Sequence, residues 1–503
     1  MNPSGKVEEL QPDPAALIES MRAFGYSLPT AVADLIDNSI AGGASDIQVG
    51  FDWAGSASTV SILDDGHGMS EPQLVSAMRL GSRSPTETRD PHDLGRFGLG
   101  LKSAAWSQAR ILTVISRQDG GAVALRRWDL DHVTSVGRWE LQSQGGDVAE
   151  ALIDTLNERA CGTAVLLEMP DRMVGTADID DDHARARFFA AVEGVRSHLA
   201  VVFHRFLSGR SAITIGVNGE PVPAWDPFLE QHPSTQHLGE ETLWQGGHPV
   251  KISPFVLPHQ SRLDDEQHRG AAGLGGWNAQ QGFYVYRAHR LLVAGGWLNL
   301  PRMQREEHYK LARIRIDIDN AVDDLWQIDV RKARARIPGA LQPDLQRIAR
   351  VTRARASEVY RFRGKLAARE PGRQAAIKFV WQPHTTRDGR VFRVNRDHPV
   401  LVALSAESPA THLAIETALR LVEEHLPIEA LLIESREQER ESPVAPYAGD
   451  EREIERLLRS TVAAITATGT AERIALEAVA DAEPFDDYPN IVQVLREEIQ
   501  GDE

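Results

Sequence analysis

One cysteine, Cys161, occurs in 503 residues. It cannot close an intramolecular disulfide or build a multi-cysteine metal site, so nothing in the composition points to an oxidising compartment, and a cytoplasmic protein is expected. Long apolar runs are missing too. The leader MNPSGKVEELQPDP has no apolar signal core, and no stretch approaches the roughly 18 to 20 apolar residues of a spanning helix, so a soluble chain without a membrane partner is expected. Positive charge is in deficit: 55 lysines and arginines against 72 acids leave a net charge of −17. That excludes a protein that coats nucleic acid or anionic membrane with its whole surface, while a local basic region is still allowed. Histidines at 67, 92, 248, 259 and 268 show neither HExxH nor i,i+4 ligand spacing, so no transition metal is assigned. No repeat of 20 to 50 residues is visible. What is present, 42% apolar and 25% charged residues, suffices for substantial cores and predicts two to four domains.

Apolar residues at helical spacing in TAVADLIDNSIA (30 to 41), behind Pro29, predict a helix ended by Gly42 and Gly43. IQVGF (47 to 51) and TVSILDD (59 to 65) read as strands, the second running into GHGM. GSRSPTETRDPHDLGRFGLG (81 to 100) has too many breakers for a regular element and predicts a flexible loop feeding the helix LKSAAWSQA. Strands at 109–116 and 162–169 and helical character over 183–207 complete a mixed α/β pattern. The strand-like ITIGVNG (213 to 219) looks like the opening of a second α/β domain. The expected division is therefore 1–210, 211–342, a basic helical segment 343–380, and a mainly helical region 381–503.

Four elements carry chemistry. Asp34 and Asn38 in ADLIDNS are four apart and share a helix face, where a carboxylate could orient or deprotonate water and an amide oxygen could complete a Mg²⁺ shell. The plain alternative is a polar helix face. Asp64-Asp65-Gly66-His67-Gly68-Met69 puts a carboxylate at a strand end, able to accept from an exocyclic amine, beside glycines that admit a ligand to the backbone. Asp-Gly turns are also common without function. In Gly95-Arg96-Phe97-Gly98-Leu99-Gly100-Leu101-Lys102-Ser103 the glycines precede a helix whose amide groups could cradle phosphate, with Lys102 as a point charge, yet neither a Walker A loop nor a GxGxxG unit fits. Gly162-Thr163 opens a strand where a hydroxyl could reach a base nitrogen.

In this order the four elements resemble the Bergerat-fold ATPases, the class of gyrase B, the ninety-kilodalton heat-shock chaperone, histidine kinases and MutL, over about residues 15–210. DNSIAGGA and LGRFGLGLKSA look closest to the MutL and MORC branch, including bacterial MORC-like ATP-binding proteins. The resemblance implies an α/β sandwich that binds ATP and Mg²⁺. Asn38 would hold Mg²⁺, Asp64 would read the adenine amine with Thr163 alongside, and residues 95–103 would form a lid over the phosphates. Asp34 stands where that branch has a glutamate as general base. Being one methylene shorter, its carboxylate retreats by about 1.5 Å, and a misplacement near ~1 Å can cost on the order of 10²-fold, so slow hydrolysis is expected. Asp37 is the next candidate. The resemblance further implies a transducer-like (ribosomal S5-type) domain that sends a lysine, Lys332 in IDVRKARARIP, to the γ-phosphate, with Lys332 as part of a merely basic stretch the alternative. ATP-gated dimerisation is implied as well, with roles in bacterial defence or DNA repair.

Residues 331–378 carry fourteen lysines and arginines against three acids, a net of +11, with Tyr360 and Phe362 between arginines. Such concentration is the footprint of phosphate-backbone contact, and DNA is the expected partner. The bland alternative is a helix neutralising acidic surface of its own chain or a partner. Rivals for function are a weakly hydrolysing or non-hydrolysing ATP sensor that scaffolds a partner effector such as a nuclease, and a chaperone-like ATPase.

Overall fold

The computed structural model describes residues 12–23, 25–81, 100–323, 325–327, 336–361, 380–386, 389–405, 408–425, 451–467 and 469–501. Gly95, Gly98, Leu99 and Lys332 lie outside them.

Helix α1 (Pro14–Arg22) precedes α2 (Leu28–Ala41), which starts where expected because Ser27 and Thr30 form a capping box and Pro29 sits in the first turn, where no intrahelical N–H is needed. Then follow β1 (Asp46–Asp52), β2 (Thr59–Asp64), α3 (Glu71–Met78), α4 (Gly100–Gln108), β3 (Ile111–Arg117), β4 (Ala124–Asp129), α5 (Leu130–Val136), α6 (Asp147–Asn157), β5 (Gly162–Glu168), α7 (Asp171–Val174), α8 (Asp182–Val202), β6 (Thr214–Val217) and β7 (Glu220–Pro221). The seven strands form one sheet in the order β4-β3-β5-β2-β1-β6-β7. Pairing is antiparallel except between β1 and β6. Alternation along the strands sends Ile47, Val49, Val60, Ile62, Leu112, Val114, Val165 and Leu167 to one face, where α2, α4 and α8 cover them. On the other face Ile115, Leu125, Ala164 and Leu166 pack beneath α6 through Ala149 and Leu156.

The boundary expected near residue 210 moves. Ile215 and Val217 of ITIGVNG pair in parallel with Ile47 and Val49 of β1 and sink into the first core, so this strand closes the first sheet and does not open a second domain.

A second sheet follows, built from β8 (Gln236–His237), β9 (Glu241–Gln245), β10 (His248–Val256), β11 (Gly282–Arg287), β12 (Arg290–Ala294) and β13 (Ala312–Ile318), with short helices α9 (Asp265–Ala272) and α10 (Gly276–Ala279) between β10 and β11. The path is β12-β11-β13-β10-β8, with β9 on β10. Ile314, Ile316, Val250, Ile252, Phe283 and Val285 face α11 (Gln342–Arg361), which buries Leu345, Ile348, Ala349 and Ala356 against them. The segment expected as a separate basic element is thus half core: its N-terminal part is the amphipathic cover of the second sheet. The opposite face gathers Phe228, Phe255, Tyr284, Tyr286 and Leu291 against Val201 at the end of α8. Residues 1–368 form one compact unit.

Residues 369–503 form a second unit. It contains a hairpin (Trp381–Thr386 with Gly389–Val394) and helices Pro399–Ser405, Pro409–Glu424, Glu451–Thr466, Glu472–Ala480 and Pro489–Gly501. Ile454, Leu458, Val462, Leu476, Val479, Phe485, Val492 and Leu495 build its core, so the C-terminal region is helix-rich, as its pattern predicts. Among the described residues no helix is long and apolar enough to cross a membrane.

Candidate active site

Four chain segments meet on the helical side of the first sheet. The end of β2 delivers Asp64, and β5 lies beside it in a register that places Asp64 opposite Thr163. Asp64 is 5% exposed. Its carboxylate accepts from the Ser39 hydroxyl of α2 at 2.7 Å and from the amides of Gly66 at 3.0 Å and Thr163 at 3.1 Å. Burial pushes the Asp64 carboxyl above its usual range, while the three donors pull it back. The Thr163 hydroxyl shares a hydrogen bond with Ser116 at 2.8 Å, and Ser116 also accepts from the Met69 amide at 2.8 Å. The DxGxG turn and the GT strand are thereby one hydrogen-bonded unit.

The glycines in this unit are there for contact. Gly68 has φ +66°, and a Cβ on it would lie 1.8 Å from the Arg117 carbonyl oxygen; one on Gly66 would lie 2.8 Å from the Gly42 carbonyl oxygen. Gly100 differs. Among the described residues a Cβ there meets nothing within 4 Å, so their packing does not demand a glycine at the first residue of α4. Leu101 packs against the first core, Ser103 is buried with its hydroxyl toward the Gly100 carbonyl at 3.4 Å, and Lys102 donates to the Ala77 carbonyl at 2.8 Å. Burial holds the Lys102 ammonium down to about 8. The point charge expected at a phosphate therefore sits in this structure at the end of α3.

Helix α2 separates its polar residues more sharply than the shared-face reading of Asp34 and Asn38 predicts. Asn38 is exposed, and its side-chain nitrogen donates to the Asp34 carbonyl at 3.0 Å, which leaves the amide oxygen as the acceptor available to a cation. Asp34 and Asp37 are 3% and 2% exposed. Asp34 accepts from the Tyr26 hydroxyl at 2.8 Å and from Arg290 Nη2 at 3.2 Å, while Arg290 Nε donates to Asp37 at 2.8 Å. Tyr26, Ser39, Ser116 and Arg290 were not anticipated from sequence. For Arg290 a hint existed, a cation inside the apolar strand run RLLV, but its partners lie more than 250 positions earlier.

Residues 26–163, which hold this sunken oxygen acceptor and the helix that presents an amide oxygen outward, match the family described as histidine kinase-, DNA gyrase B-, and HSP90-like ATPase. The chain carries a domain of that family. Among relatives, ATPase morc-1 of Caenorhabditis elegans is 30% identical over 96 residues, 19% of this chain and 11% of that protein. Chaperone protein HtpG of Aromatoleum aromaticum is 29% identical over 133 residues, and HtpG of Alcanivorax borkumensis 32% over 125 residues, each match covering 18% of the chaperone and 24% and 23% of this chain. The chain thus spans about a tenth to a fifth of the length of these curated relatives.

Of the cationic residues between 331 and 378, Arg336, Arg347, Arg350, Arg353 and Arg355 have described side chains. Arg347 pairs with Glu241 at 2.6 Å, Arg353 with Glu306 at 3.1 Å while lying over the Tyr309 ring, and Arg355 with Glu358 at 2.7 Å. Three of these five neutralise acids of their own chain.

Proposed function

We propose that this protein is a Mg²⁺-dependent ATP-binding and hydrolysing switch in which two protomers associate on ATP and act on DNA. The observation that carries the reading is the Asp64 cradle beside the outward amide of Asn38. Asp64 accepts from the adenine amine, and Thr163 stands next to it to reach the base. Asn38 supplies an oxygen to Mg²⁺, which offsets phosphate charge when bound. Asp34, steadied by Tyr26, orients the attacking water, and residues 95–103 close over the phosphates, with Lys332 as the lysine that senses the γ-phosphate. The second sheet then serves as the transducer, and cations of 331–378 touch the DNA backbone. Likeness to morc-1 supports the branch, and a bacterial defence or DNA-repair setting fits it.

A chaperone-like ATPase is the second reading, favoured by the HtpG matches and by the internal pairing of Arg347, Arg353 and Arg355. Phosphate release measured with and without duplex DNA, and with an unfolded client, separates the two. Gel filtration with ATP, ADP and a non-hydrolysable analogue tests the switch: dimers with the analogue and monomers with ADP are expected, and one elution volume throughout rejects it. Asp34→Ala should keep ATP binding and lose turnover; retained turnover moves the base elsewhere. A wild type that binds ATP and releases no phosphate makes the chain a sensor.

A further inference from the structure

Arg290 begins β12 directly after a two-residue hairpin turn in which Ala288 and His289 have φ of +46° and +71°. Both central residues of such a turn need left-handed backbone, which glycine or asparagine adopts readily and alanine does not. Non-glycine residues persist in that region only where the surroundings over-determine it. Here the turn aims one side chain out of the second sheet and into helix α2 of the first. Arg290 is 3% exposed. Nε lies 2.8 Å from Asp37 Oδ1 and 2.7 Å from its Oδ2, and Nη2 lies 3.2 Å from Asp34 Oδ1. The groups around it are Asp34, Asp37 and Tyr26, together with Phe203, over whose ring the guanidinium lies at 5.9 Å, and His198 of α8, which burial and then the Arg290 charge hold down to about 4.

We infer that Arg290 is a positioning residue for the hydrolytic step, reaching from the second sheet to hold Asp34 at the angle from which it orients water, so that the readiness of the site follows the placement of the second sheet. The inference rests on the ATPase reading above. Two features support it. Asp34 is held from two sides, Tyr26 on Oδ2 and Arg290 on Oδ1, which fixes the plane of its carboxylate. Asp37 holds the neighbouring donor Nε, so one planar guanidinium bridges both carboxylates through adjacent nitrogens, a geometry the single ammonium of a lysine cannot copy.

The test compares wild type, Arg290→Gln and Arg290→Lys in the 503-residue chain, reading the ATP dissociation constant and kcat per competent site. For Arg290→Gln, nucleotide affinity should stay within about threefold while kcat falls at least about tenfold. The lysine variant keeps a charge but cannot span both carboxylates. Its kcat should lie between the other two. Equal kcat in wild type and Arg290→Lys, or a folded Arg290→Gln that loses affinity and kcat together or neither, overturns the assignment. Should the glutamine variant fail to fold, the lysine variant decides. A wild type that neither binds nor hydrolyses ATP rejects the ATPase reading itself, an outcome distinct from a hydrolysing wild type whose Arg290 variants match it.

Discussion

Asp64→Asn isolates the adenine-reading role proposed for one carboxylate without dismantling its surroundings. The three donors on Asp64 come from Ser39, Gly66 and Thr163 at 2.7 to 3.1 Å. An asparagine of the same shape keeps an oxygen for the two amides and turns its NH₂ to Ser39, whose hydroxyl rotates to accept. Stability should change by less than about 1.5 kcal/mol, the worth of one ordinary hydrogen bond. Binding should change by more. The adenine amine loses a charged acceptor, worth about 1.5–3 kcal/mol, which is roughly a 10- to 150-fold weaker Kd. Calorimetric titration with Mg-ATP, next to thermal melts of both proteins, measures the two quantities separately. The pH dependence adds a second check. Since burial raises the Asp64 pKa, wild-type affinity should begin to fall at a pH above the ordinary carboxylate range as the group takes up a proton, whereas the asparagine variant stays flat over that interval. A variant that melts like wild type and binds ATP within threefold would refute the placement of adenine at Asp64.

Three further outcomes follow from the same geometry. Gly68→Ala should cost more than about 3 kcal/mol in urea unfolding, since its Cβ meets a carbonyl at 1.8 Å, whereas Gly100→Ala, whose Cβ meets nothing within 4 Å among the described residues, should be neutral or gain up to about 1 kcal/mol. His204, bonded to the Tyr286 hydroxyl at 2.8 Å, is held down to about 3 by burial, with Arg205 and Arg315 adding to it. An unfolded histidine takes up a proton near 6.5 and the folded one does not, so stability is lost as pH falls through that value. One such group accounts for about 1.9 kcal/mol between pH 7 and 5, and His204→Gln should flatten the melting profile over that window by this share. Arg313→Met should stabilise by about 1–2 kcal/mol: the guanidinium is fully buried, its three nitrogens find no hydrogen-bond partner among the described residues, and Trp277 and Tyr284 rings at 5.9 and 5.8 Å offer it only their faces. A large loss of stability in urea would mean the charge is satisfied after all.

The parts legible in sequence were those whose physics is local. Capping by Ser27 and Thr30, the period of α2 and the alternation of β1 and β2 are set within a few residues, so α2 and β2 stand where the pattern puts them, and the Asp64 turn is marked by its own glycines although the carbonyls that Gly66 and Gly68 admit belong to the distant Gly42 and Arg117. Helix α6 escaped because it is short and mostly exposed, although Ala149, Leu152, Ile153 and Leu156 have helical spacing. ITIGVNG reads as a strand opening a second domain, and the sheet it joins is not legible, because its partner β1 lies about 170 residues earlier and parallel pairing leaves no turn to announce it. The basic run was counted correctly by charge, but charge alone cannot tell which arginines meet acids at the surface of their own fold, and α11 pairs Arg347 with Glu241 of β9, more than 100 positions back. Arg290 is the extreme case: its relation to Asp34 and Asp37 exists only because two sheets pack together.

The parallel pair of β1 and β6 also decides where this polypeptide can be cut. A fragment ending near residue 210 would remove β6 and β7 and leave Asp46, Ile47, Gln48 and Val49 with one side of their backbone unpaired along an open sheet edge. Such an edge invites strand addition from neighbouring molecules and aggregation in solution. It would also uncover the core side of Ile47 and Val49, which Ile215 and Val217 help to close. A soluble nucleotide-binding fragment has to run through Val222, whose side chain seals the same core, and expression yields of fragments ending at 210 and 222 should differ accordingly.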